Sequence, residues 1–241
     1  MNKENQTIEI EGLLLKKDFQ TNYGFLKNAK KLTSMWVEFL HKKPKVIFDL
    51  GANAGLYSLF FSKACPKSKI YSFEPIKDNF DLLSRNVHLN KKKDTIFPNN
   101  FGIWRESKSM NMGLPLENFT RRNEFYPGEN VNTGLYSIHH IENKDYVHTC
   151  DFKHIDDAIK VVGAYPEFLK LDIEGAERDV LKSAIESKDA LKNTFGIVVE
   201  INKEYNNVEE IDEILAPAGF EIAPGQRRSG KSFDIVWKRT L

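Results

Sequence analysis

From Lys45 onward, short runs rich in β-branched and aromatic residues ("VIF", "KIYSF", "FLKLDI", "FGIVVEI") alternate with stretches of helical periodicity. Parallel strands need crossover connections that cover the sheet, so this rhythm restricts the chain to an α/β fold with a mostly parallel sheet. The runs carry few charges, as expected of strands covered by helices on both faces. In "IKDNFDLLSRNVHLN" Phe80, Leu83 and Val87 share a face; in "AERDVLKSAIES" Val180, Leu181, Ala184 and Ile185 do. In "VEEIDEILAPAGF" the stripe is Val208, Ile211, Ile214 and Leu215, and Pro217 with Gly219 ends the helix. "FEIAP" and "SFDIVWKR", separated by "GQRRSGK", predict an antiparallel C-terminal hairpin that finishes the sheet.

A chain of 241 residues accommodates one domain of this class with a complete core. Residues 1–44 read as an extension packing on that core: a strand or hairpin in "TIEIEGLLL", then a helical stretch with Leu32, Met35, Trp36 and Phe39. Residues 45–241 form the single domain, with an inserted irregular or β-rich segment at about 101–165. That segment holds the turns Pro127-Gly128 and Thr133-Gly134 among aromatic and polar residues. Loops on a rigid sheet carry recognition, so substrate specificity is expected here, with Tyr126, Tyr136, Arg121 and Arg122 suited to stacking on a sugar and gripping an anionic group.

Lys and Arg number 35 against 34 Asp and Glu, a formal net charge of +1, which argues against nucleic acid and acidic membranes as partners. The basic runs Lys91-Lys92-Lys93, Arg121-Arg122 and Arg227-Arg228 are too short to read as more than solvated surface. Cys65 and Cys150 lie far apart with no metal-ligand spacing, which predicts reduced thiols in a cytoplasmic protein. The first residues lack the basic and apolar regions of a signal peptide, and no apolar run approaches the ~18 residues of a membrane span. No heptad seam or exposed apolar stripe announces an oligomer, so that state stays open.

The run "VIFDLGANAG" breaks at Asp49 into a turn with Gly51 and Gly55, placed where open parallel sheets bind ligands. A dinucleotide turn would need glycines where Asn53 and Leu56 stand, and a Walker loop fails at Leu56-Tyr57-Ser58. Glu74, nineteen residues after Gly55, closes the second strand of the sheet where an acid bonds ribose hydroxyls in Rossmann-like sites. The D-x-G-x-N-x-G pattern is similar to motif I of the S-adenosylmethionine-dependent methyltransferases. The resemblance implies that Asp49, Gly51, Asn53 and Gly55 hold the methionine part, Asp49 facing its ammonium or sulfonium side. Pro75 would lie beside the adenine, with Asn99 or Asn100 at its polar edge.

"FLKLDIEGAERDVLKSA", with "CDFKHIDDAI" and "NTGLYSI" upstream, resembles the FkbM-type methyltransferases over about residues 45–202. That resemblance implies a Rossmann-like class I methyltransferase sheet and methyl transfer from S-adenosyl-L-methionine to an oxygen, often on a sugar, polyketide or other small metabolite. Asp172 and Glu174 after the fourth strand, with Glu200 and Asn202 at the end of the fifth, gather acids at the same crevice. Glu177 reads either as part of that group or as a helix-start charge. Such acids suit a metal-free site, in which a carboxylate or His139 or His140 takes the acceptor's proton, or a divalent cation that lowers the hydroxyl's pKa. The metal-free form is preferred. A base-modifying enzyme would carry N/D-P-P-[YF] where "LDIEG" stands. A non-catalytic cofactor- or glycan-binding module is the alternative, and an NAD-dependent oxidoreductase is disfavoured by the missing glycines.

Overall fold

The computed structural model describes residues 7–10, 12–16, 39–114, 136–141, 147–226 and 228–240. Leu32, Met35, Trp36, Arg121, Arg122, Tyr126, the two predicted turns at 127–128 and 133–134, and Arg227 lie outside them. In chain order the elements are β1 Thr7–Ile10, β2 Leu13–Lys16, β3 Val46–Leu50, α1 Leu56–Ala64, β4 Lys69–Phe73, α2 Lys77–Leu89, β5 Ile96–Asn99, β6 Gly102–Ile103, β7 Lys108–Met112 and β8 His148–Lys153. There follow α3 Ile155–Val162, β9 Phe168–Leu171, α4 Glu177–Glu186, β10 Gly196–Asn202, α5 Val208–Leu215, a 3-10 turn Ala216–Ala218, β11 Phe220–Ile222 and β12 Ser232–Arg239.

Seven strands form the central sheet in the order β5-β4-β3-β9-β10-β12-β11. β5, β4, β3, β9 and β10 run parallel, and β12 inserts antiparallel between β10 and β11. The C-terminal pair is thus the expected hairpin, and its second strand lies inside the sheet. Strand order reverses between β3 and β9, and the crevice beyond their carboxyl ends is where such sheets place ligands.

Alternation along the strands divides the core. Ile47, Ile70, Phe168 and Val198 meet Leu59, Phe61, Leu83 and Val87 of α1 and α2 on one face. Phe48, Leu169, Val199 and Trp237 meet Ile155, Val180, Leu181 and Ile211 of α3, α4 and α5 on the other. The β1–β2 hairpin adds Leu13 and Leu15 to the first cluster. Asn90 anchors it to the end of α2: its Oδ1 accepts from the Leu14 N–H at 2.8 Å and its amide donates to the Leu14 carbonyl at 2.5 Å.

Within residues 101–165, β6, β8 and β7 make a separate three-stranded sheet whose Ile103, Met112 and Phe152 join the second cluster. Residues 155–162, which the sequence reading includes in the irregular stretch, are the regular crossover helix α3. His154 caps its start through Nδ1, and its buried stripe is only Ile155, Ala158 and Ile159, too short to separate by periodicity from the β-rich residues before it. Cys65 and Cys150 are free and buried. Among the described residues no helix is long and apolar enough to cross a membrane.

Candidate active site

After β3 the backbone turns through Gly51 (φ 73°), Asn53 (φ 49°) and Gly55 (φ 83°) into α1. Position 51 is closed to any side chain, since a Cβ there would sit 1.8 Å from the Asp172 carbonyl oxygen. The turn after β3 and the turn after β9 therefore touch backbone to backbone. The Gly51 and Ala52 N–H groups donate to the Phe73 carbonyl at the end of β4, each at 3.0 Å. No side chain caps α1 and its first turn holds no acid, so its N–H groups face the crevice available to an anion.

Glu74 is buried and organises this side. One oxygen accepts the Asn53 N–H at 2.8 Å; the other accepts the Ile76 N–H at 2.9 Å and the Asn79 amide at 3.4 Å. Burial pushes its pKa up to about 7, against the pull of those hydrogen bonds and of Lys170. Asn100 donates to the Glu74 and Pro75 carbonyls at 3.0 and 3.2 Å, while the Asn99 amide turns back to the Phe97 carbonyl at 2.8 Å. Asn100 thus shapes the loop carrying Glu74 and Pro75. The Asn53 Oδ1 is buried without a partner, an acceptor left over in the turn.

The second half of the crevice is acidic around one cation. Lys170, on β9, has a side chain 2% exposed; its Nζ lies 3.3 Å from Asp49 Oδ1 and 3.2 Å from Asp172 Oδ2, and donates to the Gly51 carbonyl at 3.2 Å. Burial alone would lower its pKa, but Asp172 and Asp49 outweigh that and raise it. Asp49, read from sequence as facing a ligand, is fully buried, and its other oxygen accepts from Ser58 at 2.5 Å. Its carboxylate faces inward, holding Lys170 and the start of α1.

Oxygens of Asp172, Glu174 and Glu200 lie within 4.8 Å of one another. Glu200 is directly opposite Asp234 in the β10–β12 register, an arrangement unfavourable for two charges. The pKa values answer this crowding. Asp172 and then burial push Glu200 up to about 10; burial, Asp172 and Glu177 push Glu174 up to about 8; burial and Asp172 push Asp234 up to about 7. Near neutral pH Glu200 and Glu174 therefore hold protons and can donate hydrogen bonds.

Glu177 has a different part. Its carboxylate accepts the Ile173 N–H at 2.9 Å, the Gly175 N–H at 3.1 Å and the Asn206 amide at 2.9 Å, fixing the turn that presents Asp172 and Glu174. That turn has positive φ at Glu174 (51°) and Gly175 (100°), and strain of this kind concentrates at functional sites.

Residues 136–141 lie across the turn. Gly113 and Ser137 form a β-bridge, and the Ser137 hydroxyl donates to the Glu174 carbonyl at 2.7 Å. His139, exposed, stacks on Tyr205 with ring centroids 5.4 Å apart and an interplanar angle of 19°, its Nε2 3.4 Å from the Gly175 carbonyl oxygen. His140 Nε2 meets the Tyr205 hydroxyl at 2.6 Å. A Cβ at Gly175 would sit 2.9 Å from both the His139 and Tyr205 rings, so the close approach requires glycine.

The structure thus brings Asp172, Glu174, Glu200 and His139 to one side of the crevice and Gly51, Asn53, Gly55, Glu74 and Pro75 to the other, while Asp49 and Asn99 turn their side chains away. Lys170, Asp234, Tyr205 and Ser58 receive no role from sequence. For Lys170 a signal exists, a lone charge inside the otherwise apolar β9.

The Methyltransferase FkbM domain family matches residues 49–222. The chain is 25% identical over 246 residues to Methyltransferase 1 of Beauveria bassiana, covering 88% of this chain and 92% of that one. It is 25% identical over 157 residues to the hexuronic acid methyltransferase AglP of Haloferax volcanii, with 65% and 56% covered. The crystal structure of Methyltransferase FkbM from Methylobacillus flagellatus superposes with a TM-score of 0.52 at 16% identity over 93% of this chain. This chain spans 56% of that longer one. Seven strands in the order described, with acids gathered at the switch point, agree with these matches, and the chain belongs to the FkbM methyltransferase family.

Proposed function

We propose that the protein transfers a methyl group from S-adenosyl-L-methionine to a hydroxyl of a small molecule or sugar. The observation that carries this reading is the Asn53–Glu74 hydrogen bond, which joins the glycine turn to the strand-end acid. The residues fit the cofactor: Glu74 offers a carboxylate for ribose hydroxyls, the orphaned Asn53 Oδ1 offers an acceptor, and the uncapped start of α1 suits the methionine carboxylate. When bound, S-adenosylmethionine supplies an electrophilic methyl: the acceptor oxygen's lone pair forms the O–C bond, the C–S pair stays on sulfur, and the hydroxyl proton leaves to a base.

Glu174, protonated near neutrality, orients the acceptor by donating a hydrogen bond, while protonated Glu200 donates to Asp172. Asp172, 3.2 Å from the Lys170 Nζ, takes the proton, and His139, exposed at the rim, passes it to solvent. Support for a hydroxylated acceptor comes from the named substrate class of AglP and from the acid cluster, which a module that only binds would not need. The segment 101–165, less the crossover helix α3, is proposed as the substrate-side insertion on the single domain 45–241, and 1–44 as its extension. The near-neutral net charge and the two free, buried cysteines support a cytoplasmic enzyme without nucleic-acid partners.

A second reading has one observation in its favour. Asp172, Glu174 and Glu200 are close enough to hold a divalent cation, which would lower the hydroxyl's pKa in place of a protein base. A labelled-methyl screen over uronic acids, neutral sugars and hydroxylated metabolites, run with and without a chelator, tests both. Label transfer that survives chelation and is lost in Asp172→Asn supports the metal-free reading; transfer abolished by chelation supports the cation. No transfer to any oxygen, with transfer to an amine instead, refutes O-methylation.

A further inference from the structure

Lys170 reaches both halves of the site. Its Nζ contacts Asp49 and Gly51 at the end of β3 and Asp172 after β9, and it lies 4.5 Å from the centroid of the Tyr57 ring on α1. All four belong to elements that line the crevice. A buried ion pair is a poor source of stability, because apolar residues of similar volume do as well or better. A buried ammonium against the carbonyl of the Gly51 turn also opposes, electrostatically, a ligand whose sulfur is positively charged. Two carboxylates at the strand ends that border the crevice, Asp49 and Asp172, pair with Lys170. Without a compensating cation they would favour the charged cofactor over its neutral product. Affinity spent on a charge that transfer removes stabilises the ground state and not the transition state.

We propose that Lys170 is a positioning residue that sets the balance between S-adenosylmethionine and S-adenosylhomocysteine, its buried ammonium offsetting the carboxylates' preference for the sulfonium form. The inference rests on the cofactor reading above. One unit charge acting across about 10 Å at an effective dielectric of about 20 changes an affinity on the order of tenfold.

Calorimetric titration of both ligands into the full chain measures that balance without an acceptor. Lys170→Met shifts the affinity ratio toward S-adenosylmethionine by about tenfold, whereas Lys170→Arg, which keeps the charge, stays near the wild-type ratio. Lys170→Met/Asp49→Asn, which removes one charge of each sign, restores the ratio. If Lys170→Met does not fold, Asp49→Asn alone carries the test, with a shift of the same size toward S-adenosylhomocysteine. A purely structural lysine would weaken both ligands together at a constant ratio, and that result, or an unmoved ratio in Asp49→Asn, overturns the proposal while leaving the cofactor reading intact. Wild-type protein that binds neither ligand overturns both.

Discussion

Glu200→Gln is expected to stabilise the protein, by an amount that grows with pH. In the fold Glu200 holds its proton up to about pH 10, because Asp172 lies beside it and because it is largely buried. In the unfolded chain it ionises near its ordinary value of 4.5. Between those values the folded state binds a proton that the unfolded state releases, so the group lowers stability progressively as pH rises. A full shift would cost about 2 kcal/mol at pH 6 and about 5 kcal/mol at pH 8, at about 1.4 kcal/mol per pH unit. Solvent reaching the partly exposed carboxyl screens part of this, which leaves a gain of about 1 kcal/mol at pH 6 and about 2–3 kcal/mol at pH 8. Glutamine is neutral at every pH, keeps the shape, and its amide can donate to Asp172 as the protonated acid does. Thermal unfolding of both proteins with a chelator present is the assay, and at pH 8 the variant should melt several degrees higher. Methyl transfer falls in the same variant, as expected where function stores instability. A gain that does not change with pH, or a loss at both values, would refute the reasoning.

Other consequences are local. Gly175→Ala meets a positive φ and two rings at 2.9 Å, and should cost about 1–3 kcal/mol in chemical denaturation and depress turnover. Its affinity for S-adenosylhomocysteine stays close to wild type, since the cofactor half of the crevice is untouched. Glu177→Gln turns an amide NH2 toward backbone N–H donors and should lose about 1–3 kcal/mol, read as a lower denaturation midpoint. Leu15→Ala tests whether the hairpin belongs to the core: Leu15 is 1% exposed, so about 2–4 kcal/mol is expected in urea unfolding.

Much of this architecture is legible in the sequence for definite reasons. The glycine turn, Glu74 and the D-I-E-G turn all follow strands whose apolar runs are unmistakable, and topology carries strand ends to one crevice. Lys170 stands out as a charge in an apolar strand, but its partners are not legible, because Asp49 and Gly51 lie 121 and 119 residues away and only the β3–β9 pairing joins them. Asp234 enters through the antiparallel register that sets it opposite Glu200, which no local pattern specifies. The inward turn of Asp49 follows from the same lysine. His139 reaches the Glu174–Gly175 turn through a β-bridge and the absence of a side chain at Gly175, both tertiary facts. Helix α3 is obscured by its brevity, with three buried apolar residues in eight positions.

The central claim is that the Gly51–Glu74 region holds S-adenosylmethionine. Calorimetric titration of S-adenosylhomocysteine into wild-type protein and Glu74→Ala tests it most directly. The account predicts one site per chain in the wild type and an affinity at least about tenfold weaker in the variant, since a buried carboxylate's hydrogen bonds to ribose are worth about 1.5–3 kcal/mol. Equal affinity in a correctly folded variant, or no binding to either protein, would contradict it.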